Sequence, residues 1–170
     1  MEYSKTFLER LREEIIADEG CVLEVYKDHL GYFTVGVGHL ILPSDEEWGV
    51  GVGTPITQTR ADELLFYDLA NVLKECENGF QTSWPDWMPN PDNKWEQWPE
   101  EVKLIVANMA FNLGITKLKK FQRMLIAINM KDYVKASKEG LDSKWAGQVY
   151  NRAHRLMDRL RGCMIDDKDL

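Results

Sequence analysis

The stretch Val22 to His39, VLEVYKDHLGYFTVGVGH, carries the chain's change of period. Before and after it, apolar residues recur at helical spacing; within it they alternate. A single hairpin cannot stand alone in water, so this one must lie on helices. The class is therefore α+β. The turn is expected at Asp28 to Gly31. On the returning strand, alternation puts Phe33, Val35, Val37 and His39 on one face and Thr34, Gly36 and Gly38 on the other. Glycine in a strand marks a bulge or a close approach by something else. The second face, with one hydroxyl and two glycines, reads as a floor on which a ligand could lie.

Helices account for the rest. The first is expected over Lys5 to Asp18, capped by Ser4, stopped by Gly20, with Phe7, Leu8, Leu11, Ile15 and Ile16 as its stripe. After a glycine-rich loop comes a long helix from Gln58 to Glu77, capped by Thr57 and stopped by Gly79. Its stripe is Ala61, Leu64, Leu65, Leu69, Val72, Leu73 and Cys76. Asp68 falls on that stripe, where a carboxylate needs a partner. Phe80 to Pro99 holds four Trp and four Pro, which excludes a long helix. Its Trp84, Trp87, Trp95 and Trp98 are expected to pack onto the helical part, with extension of a sugar-binding surface as the alternative. Helices resume over EEVKLIVANMAFNLG, then Phe121 to Met130, Asp132 to Glu139 and Asp142 to Leu160. The tail DDKDL is expected to fray.

At 170 residues the chain reads as one domain over 1–170. Residues 19–57 form a sheet lobe, 58–79 a linking helix, and 1–18 with 80–165 a helical lobe. The formal net charge of −7 argues against a general nucleic-acid partner, which would need a basic face. No apolar run can span a membrane, and the N-terminus lacks the apolar core of a secretory signal. A cytoplasmic origin is expected. Cys21, Cys76 and Cys163 are odd in number and widely spaced, with no metal motif, and are expected as buried free thiols.

Two carboxylates and a hydroxyl within sixteen residues suggest glycoside hydrolysis. That reaction needs one carboxyl to protonate the leaving oxygen and another to activate water or stabilise the cationic sugar. Glu19 lies at a helix C-terminus between apolar stretches, which disfavours an anion. Asp28 lies in a polar turn. On residue types alone, capping and turn chemistry are the commoner explanation of both.

The stretch also resembles the phage-type lysozymes. Their pattern is Glu, eight residues, Asp, five residues, Thr, then GxGH. Here it is Glu19, Asp28, Thr34 and GVGH. DEG, YKD and GYFT look like the family too. Downstream, TQTRADELLFYDL, NMAFNLG and SKWAGQVYNRAHRLM are similar to later family segments, so the likeness covers about residues 8 to 161 in order. It implies a lysozyme-like fold, a small antiparallel sheet lobe joined by a long helix to a larger helical lobe. It implies Glu19 as general acid, Asp28 as second carboxylate and Thr34 as holder of the attacking water. Arg152 is the implied partner of Glu19, and His39 with Asp68 an implied structural pair. Leu40 and Phe111 match sugar-contacting positions in type, and Gly36 and Gly38 join them as floor. At two further such positions Met124 and Glu139 replace a serine and an asparagine.

The resemblance implies inverting hydrolysis of the β-1,4 bond from N-acetylmuramic acid to N-acetylglucosamine in peptidoglycan, without metal or organic cofactor. It implies an endolysin, a monomer with no stable membrane insertion, held in the bacterial host cytoplasm until a holin-type membrane protein gives access to the wall. Rival readings are a lytic transglycosylase and a catalytically silent wall-binding protein. The acidic charge is a departure, since it offers no long-range attraction to an anionic wall.

Overall fold

The computed structural model describes residues 2–163. The expected fraying of DDKDL lies outside those residues. They form two compact units, one of Leu8–Asn71 and one of residues 2–7 with 72–163. The chain passes between the units inside helix α1 (Lys5–Glu19) and again inside helix α2 (Gln58–Glu77).

Helix α1 begins where Ser4 Oγ accepts from the Phe7 amide at 3.0 Å, the capping bond its position predicted. It runs one residue further than expected, to Glu19. There Gly20, at φ +72°, returns its amide to the Ile16 carbonyl at 2.9 Å. Phe7, Leu11 and Ile15 are buried, whereas Leu8 is 38% exposed and lies off the core stripe.

The sheet of the first unit has three strands, not two. Strands β1 (Val22–Lys27), β2 (Phe33–Gly36) and β3 (His39–Leu40) are antiparallel in that order. The expected single strand through His39 is a second, tight hairpin. Val35 pairs with His39 and Thr34 with Leu40. Gly36 and Gly38 sit at φ +63° and +69°, left-handed values that turn the chain back after four residues. The glycine alternation is thus turn chemistry, and the flat floor of Thr34, Gly36 and Gly38 is not formed. A Cβ on Gly36 would meet the Ala61 Cβ at 3.4 Å, so that glycine packs against α2. The opposite sheet face carries the core of this unit: Val25, Val35, Ile41 and Leu64, with Val50 and Ile56 against them.

No helix occurs between β3 and α2, and the loop there is tied to β1. Gly53 donates to the Val25 carbonyl at 2.8 Å, Val25 to Thr54 at 2.9 Å and Ile56 to Leu23 at 2.9 Å. Glu47, in this loop, is 7% exposed and takes Arg60 in a two-pronged pair at 2.8 and 3.0 Å. The Arg60 bonds are the main reason its carboxyl is held below the usual range.

In the second unit α2 does not stop at Gly79. It runs into a π-helical turn, Asn78–Thr82, in which Gly79 is buried. A Cβ there would come within 2.9 Å of Lys119 Cε, so this glycine is a packing residue rather than a cap. The Trp-rich segment then folds onto the unit as expected. Phe80, Trp95 and Trp98 form a buried aromatic cluster, with ring centroids 5.5 to 6.3 Å apart. Trp95 Nε1 donates to Tyr3 Oη at 2.9 Å and Trp98 Nε1 to the Asn93 carbonyl at 3.0 Å. Asn129 fastens the segment through its side-chain amide, accepting from the Asn90 amide and donating to the Asn90 and Asn93 carbonyls. Trp84 and Trp87 are half-buried.

Helix α3 (Glu100–Leu113) is buried on nearly every side, in keeping with its apolar composition. Short helix α4 (Ile115–Leu118) was not expected. Helices α5 (Gln122–Asn129) and α6 (Tyr133–Leu141) follow, the latter capped by Asp132. The helix expected over Asp142 to Leu160 is two helices, α7 (Lys144–Gln148) and α8 (Tyr150–Arg161), broken at Val149 with φ −125° and ψ 53°. Among the described residues no helix is long and apolar enough to cross a membrane.

The hairpin predicts the behaviour of Gly38→Ala. An L-residue held at positive φ costs about 1–2 kcal/mol, and urea denaturation should show that loss. Unchanged stability would mean that the Gly36–Gly38 geometry is not what turns β2 into β3.

Candidate active site

Glu19, Asp28 and Thr34 all lie in the Leu8–Asn71 unit, each placed by a different local structure. Glu19 is the last residue of α1, and the αL geometry of Gly20 fixes its exit. Gly38 lies beside it: a Cβ built on Gly38 would stand 3.6 Å from Glu19 Oε2. The β2–β3 turn therefore reaches the carboxyl through a residue that has no side chain.

Asp28 is clamped into its turn. Its Oδ1 accepts from the amides of Leu30 and Tyr32, both at 2.9 Å. Its own amide donates to the Tyr32 carbonyl, and its carbonyl accepts from Gly31, again at 2.9 Å. This is the Asx geometry expected of an Asp opening a turn. One carboxylate oxygen is thus saturated by backbone donors, and among the described residues no hydrogen bond engages Oδ2.

Thr34 is 4% exposed on β2. Its hydroxyl donates to the Tyr32 carbonyl at 3.0 Å. A hydroxyl has one proton, so Thr34 offers a further partner only lone pairs. Across the sheet Thr34 is paired with Tyr26 on β1 and with Leu40 on β3. Leu40 is 49% exposed. Tyr26 was not singled out in the sequence. Its pairing with Thr34 was the signal that could have found it, and that needs the register.

His39 is the buried centre of three charges rather than of a pair. Nδ1 lies 2.8 Å from Asp68 Oδ2, as the Asp on the α2 stripe suggested. Nε2 lies 2.9 Å from Asp45 Oδ2, a partner that loop position gave no reason to expect. Asp45 also accepts from the Leu42 amide at 2.6 Å, so it ties the loop to β3. Burial opposes charge on His39, but the bonds to Asp68 and Asp45 outweigh it and raise the imidazole above 6.5. Burial likewise opposes charge on Asp45, yet the His39 bond and the Leu42 amide hold it below 3.8.

Arg152, Phe111, Met124 and Glu139 lie in the second unit. Arg152 is not a surface residue; it is 8% exposed on α8. Its Nε donates to Asn108 Oδ1 at 2.8 Å and a terminal nitrogen to the Asn108 carbonyl at 3.3 Å. Asn108, wholly buried on α3, is a supporting residue that the sequence reading missed. Phe111 is half-buried on the same helix, and its neighbour Asn112 accepts from Trp145 Nε1 at 2.8 Å. Met124 is buried, and with Glu139, Phe121 and Trp145 it lines a cavity of about 600 Å³ rimmed by Lys117, Lys120 and Lys144. Of the cysteines only Cys76 is fully buried. Cys163 is half-buried, and Cys21, expected to be buried, is exposed.

The His39 cluster predicts a pH-dependent stability. A raised imidazole contributes below about pH 6.5 and loses its effect as pH climbs through the folded value. A depressed Asp45 contributes above about 3.8 and loses it as pH falls. Replacing His39 by Gln should cost about 2–3 kcal/mol between those limits, with the gap closing on the alkaline side. Thermal unfolding from pH 4 to 9 measures it, and a pH-independent gap would contradict the charged cluster.

The phage lysozyme family model matches residues 17–90, which include Glu19, Asp28 and Thr34. The chain is 29% identical over 163 residues to "Probable T4-type lysozyme 1" of Dictyostelium discoideum, covering 86% of this chain and 91% of that protein. It is 26% identical over 163 residues to "Probable T4-type lysozyme 2" of the same organism, with the same coverage of both chains. It is also 31% identical over 161 residues to the pre-baseplate central spike protein Gp5 of Enterobacteria phage T4, covering 86% of this chain and 26% of that protein. With the ordered motif set on its helix end, turn and strand, these matches make the chain similar to the phage-type lysozymes and support a lysozyme-like glycoside hydrolase.

Proposed function

We propose that this protein is a muramidase that hydrolyses, with inversion, the β-1,4 bond between N-acetylmuramic acid and N-acetylglucosamine in peptidoglycan. The observation that carries the reading is the hydrogen-bond state of Asp28 and Thr34. Oδ1 of Asp28 is occupied by two amides, which leaves Oδ2 as an acceptor. The Thr34 proton is committed to Tyr32, which leaves lone pairs on its oxygen. A water between them gives one proton to each acceptor and keeps a lone pair for attack at the anomeric carbon. Glu19 gives its proton to the leaving oxygen, and the attack from the opposite face inverts the centre. The water's proton passes to Asp28 as the new C–O bond forms, so charge and protons balance.

Each mount suits its role. Asp28 cannot swing, because four backbone bonds hold its residue. Thr34 cannot rotate without giving up its bond to Tyr32. Such pre-set geometry avoids reorganisation at the moment of reaction. The endolysin role belongs to the same proposal: the protein waits in the host cytoplasm and meets the wall once a holin-type protein opens the membrane. Leu40, on the strand paired with Thr34 and half open to solvent, is a sugar contact in this reading.

Clearing of permeabilised bacterial cells tests it. Glu19→Gln and Asp28→Asn should each lose about 10²–10⁴-fold in rate, the usual reach of a positioned acid or base, while folding normally. Equal clearing by Glu19→Gln and wild type would remove the mechanism. Thr34 gives a finer check, since only an oxygen acceptor is required there. Thr34→Ser should keep most of the activity and Thr34→Val should lose most of it, and equal rates for the two would contradict the water site.

A further inference from the structure

Tyr26 lies beside the trio and is left unused by the reaction above. It lies directly across from Thr34 in the β1–β2 register, and cross-strand partners project from the same face of a sheet. Val25 before it points the other way, into the Val35, Ile41 and Leu64 core. Tyr26 is therefore turned to the Thr34 face by the same alternation that buries its neighbour. The ring is half-buried, which limits where the hydroxyl can go. Among the described residues that hydroxyl makes no hydrogen bond, and its oxygen is not sealed from solvent. A phenol held in place with its donor open to solvent can exchange a water for an oxygen of a ligand.

We infer that Tyr26 is a further substrate-binding residue, whose hydroxyl donates a hydrogen bond to a neutral oxygen of the saccharide lying over Glu19, Asp28 and Thr34. This rests on the muramidase reading and extends it by one contact. The acceptor is neutral because the surroundings are negative: the charges of Glu19 and Asp28 both reach the phenol, and an anionic ligand group would be repelled there. Sugar hydroxyls, ring oxygens and acetamido carbonyls meet that description. The donor is also permanent. Burial first, and the charges of Glu19, Asp28 and Cys21 after it, raise the phenol above its ordinary value of 10, so its proton stays in place across any working pH. Glu19 gives up its proton during the reaction; Tyr26 does not, which makes it a holder of substrate rather than a second acid.

Tyr26→Phe removes the hydroxyl and keeps the ring. A neutral hydrogen bond to an uncharged partner corresponds to about three- to tenfold in binding. Affinity for the tetramer of N-acetylglucosamine, measured by calorimetry on the Glu19→Gln protein, should fall by that factor when Tyr26→Phe is added. Rate against wall substrate should fall in kcat/KM with an unchanged melting temperature. A second measurement does not depend on the variant: with tyrosine labelled by ¹³C at Cζ, the Tyr26 signal should shift when the tetramer binds. Affinity equal to that of the parent, or a Tyr26 signal unmoved at saturation, would overturn the inference. So would a loss of rate matched by a drop in melting temperature with the signal unmoved. If wild type clears cells, Glu19→Gln does not, and Tyr26→Phe equals wild type, this contact alone fails. If Glu19→Gln clears as well as wild type, the muramidase reading itself fails.

Discussion

The unit that carries Glu19, Asp28 and Thr34 depends on a reversal of the chain between Gly36 and Gly38. Two left-handed glycines convert what would be a long strand into the β2–β3 hairpin. That reversal sets Leu40 beside Thr34, lays Gly36 against Ala61 and brings a residue without a side chain next to Glu19. It also puts His39 where Asp68 and Asp45 can both reach it. Any Cβ in these two positions meets backbone strain, so the site and the local fold are the same constraint seen twice.

The site's chemistry follows from bonds that are already made. Asp28 and Thr34 matter less as residue types than as groups whose hydrogen-bonding capacity has been partly used. The amides of Leu30 and Tyr32 occupy one side of the carboxylate, and the Tyr32 carbonyl occupies the threonine proton. Tyr32 therefore serves both residues through its backbone alone, whatever its side chain. What is left over, an oxygen on each, is the pair of acceptors a nucleophilic water requires. Tyr26 shares that face through its pairing with Thr34 and is the proposed donor among acceptors.

Much of this was legible in the sequence, and the misses share a cause. Ser4, Thr57 and Gly20 act locally, through bonds three or four residues away, and their roles were readable from position. Asp68 was readable because a carboxylate on an apolar stripe must have a partner. Asp45, Glu47, Asn108 and Tyr26 were not, because each is defined by what lies opposite it after folding. Glycine was the ambiguous residue. Gly36 and Gly38 were read as a ligand floor and Gly79 as a helix stop, whereas the first two turn the chain and the third admits Lys119. Glycine serves turns, stops and close packing alike, and spacing alone does not separate them. The break at Val149 had no proline to announce it, and Gly147 two residues before it was passed over within the continuous periodicity of the segment.

The account's central claim is that a water held by Asp28 and Thr34 enters the product. Mass spectrometry of wall fragments released in H₂¹⁸O tests it most directly. The account predicts muramic acid at a reducing end carrying one ¹⁸O per bond cleaved, formed first as the inverted anomer. Fragments ending in 1,6-anhydro-muramic acid without ¹⁸O would contradict it, because they form with no water at the anomeric carbon.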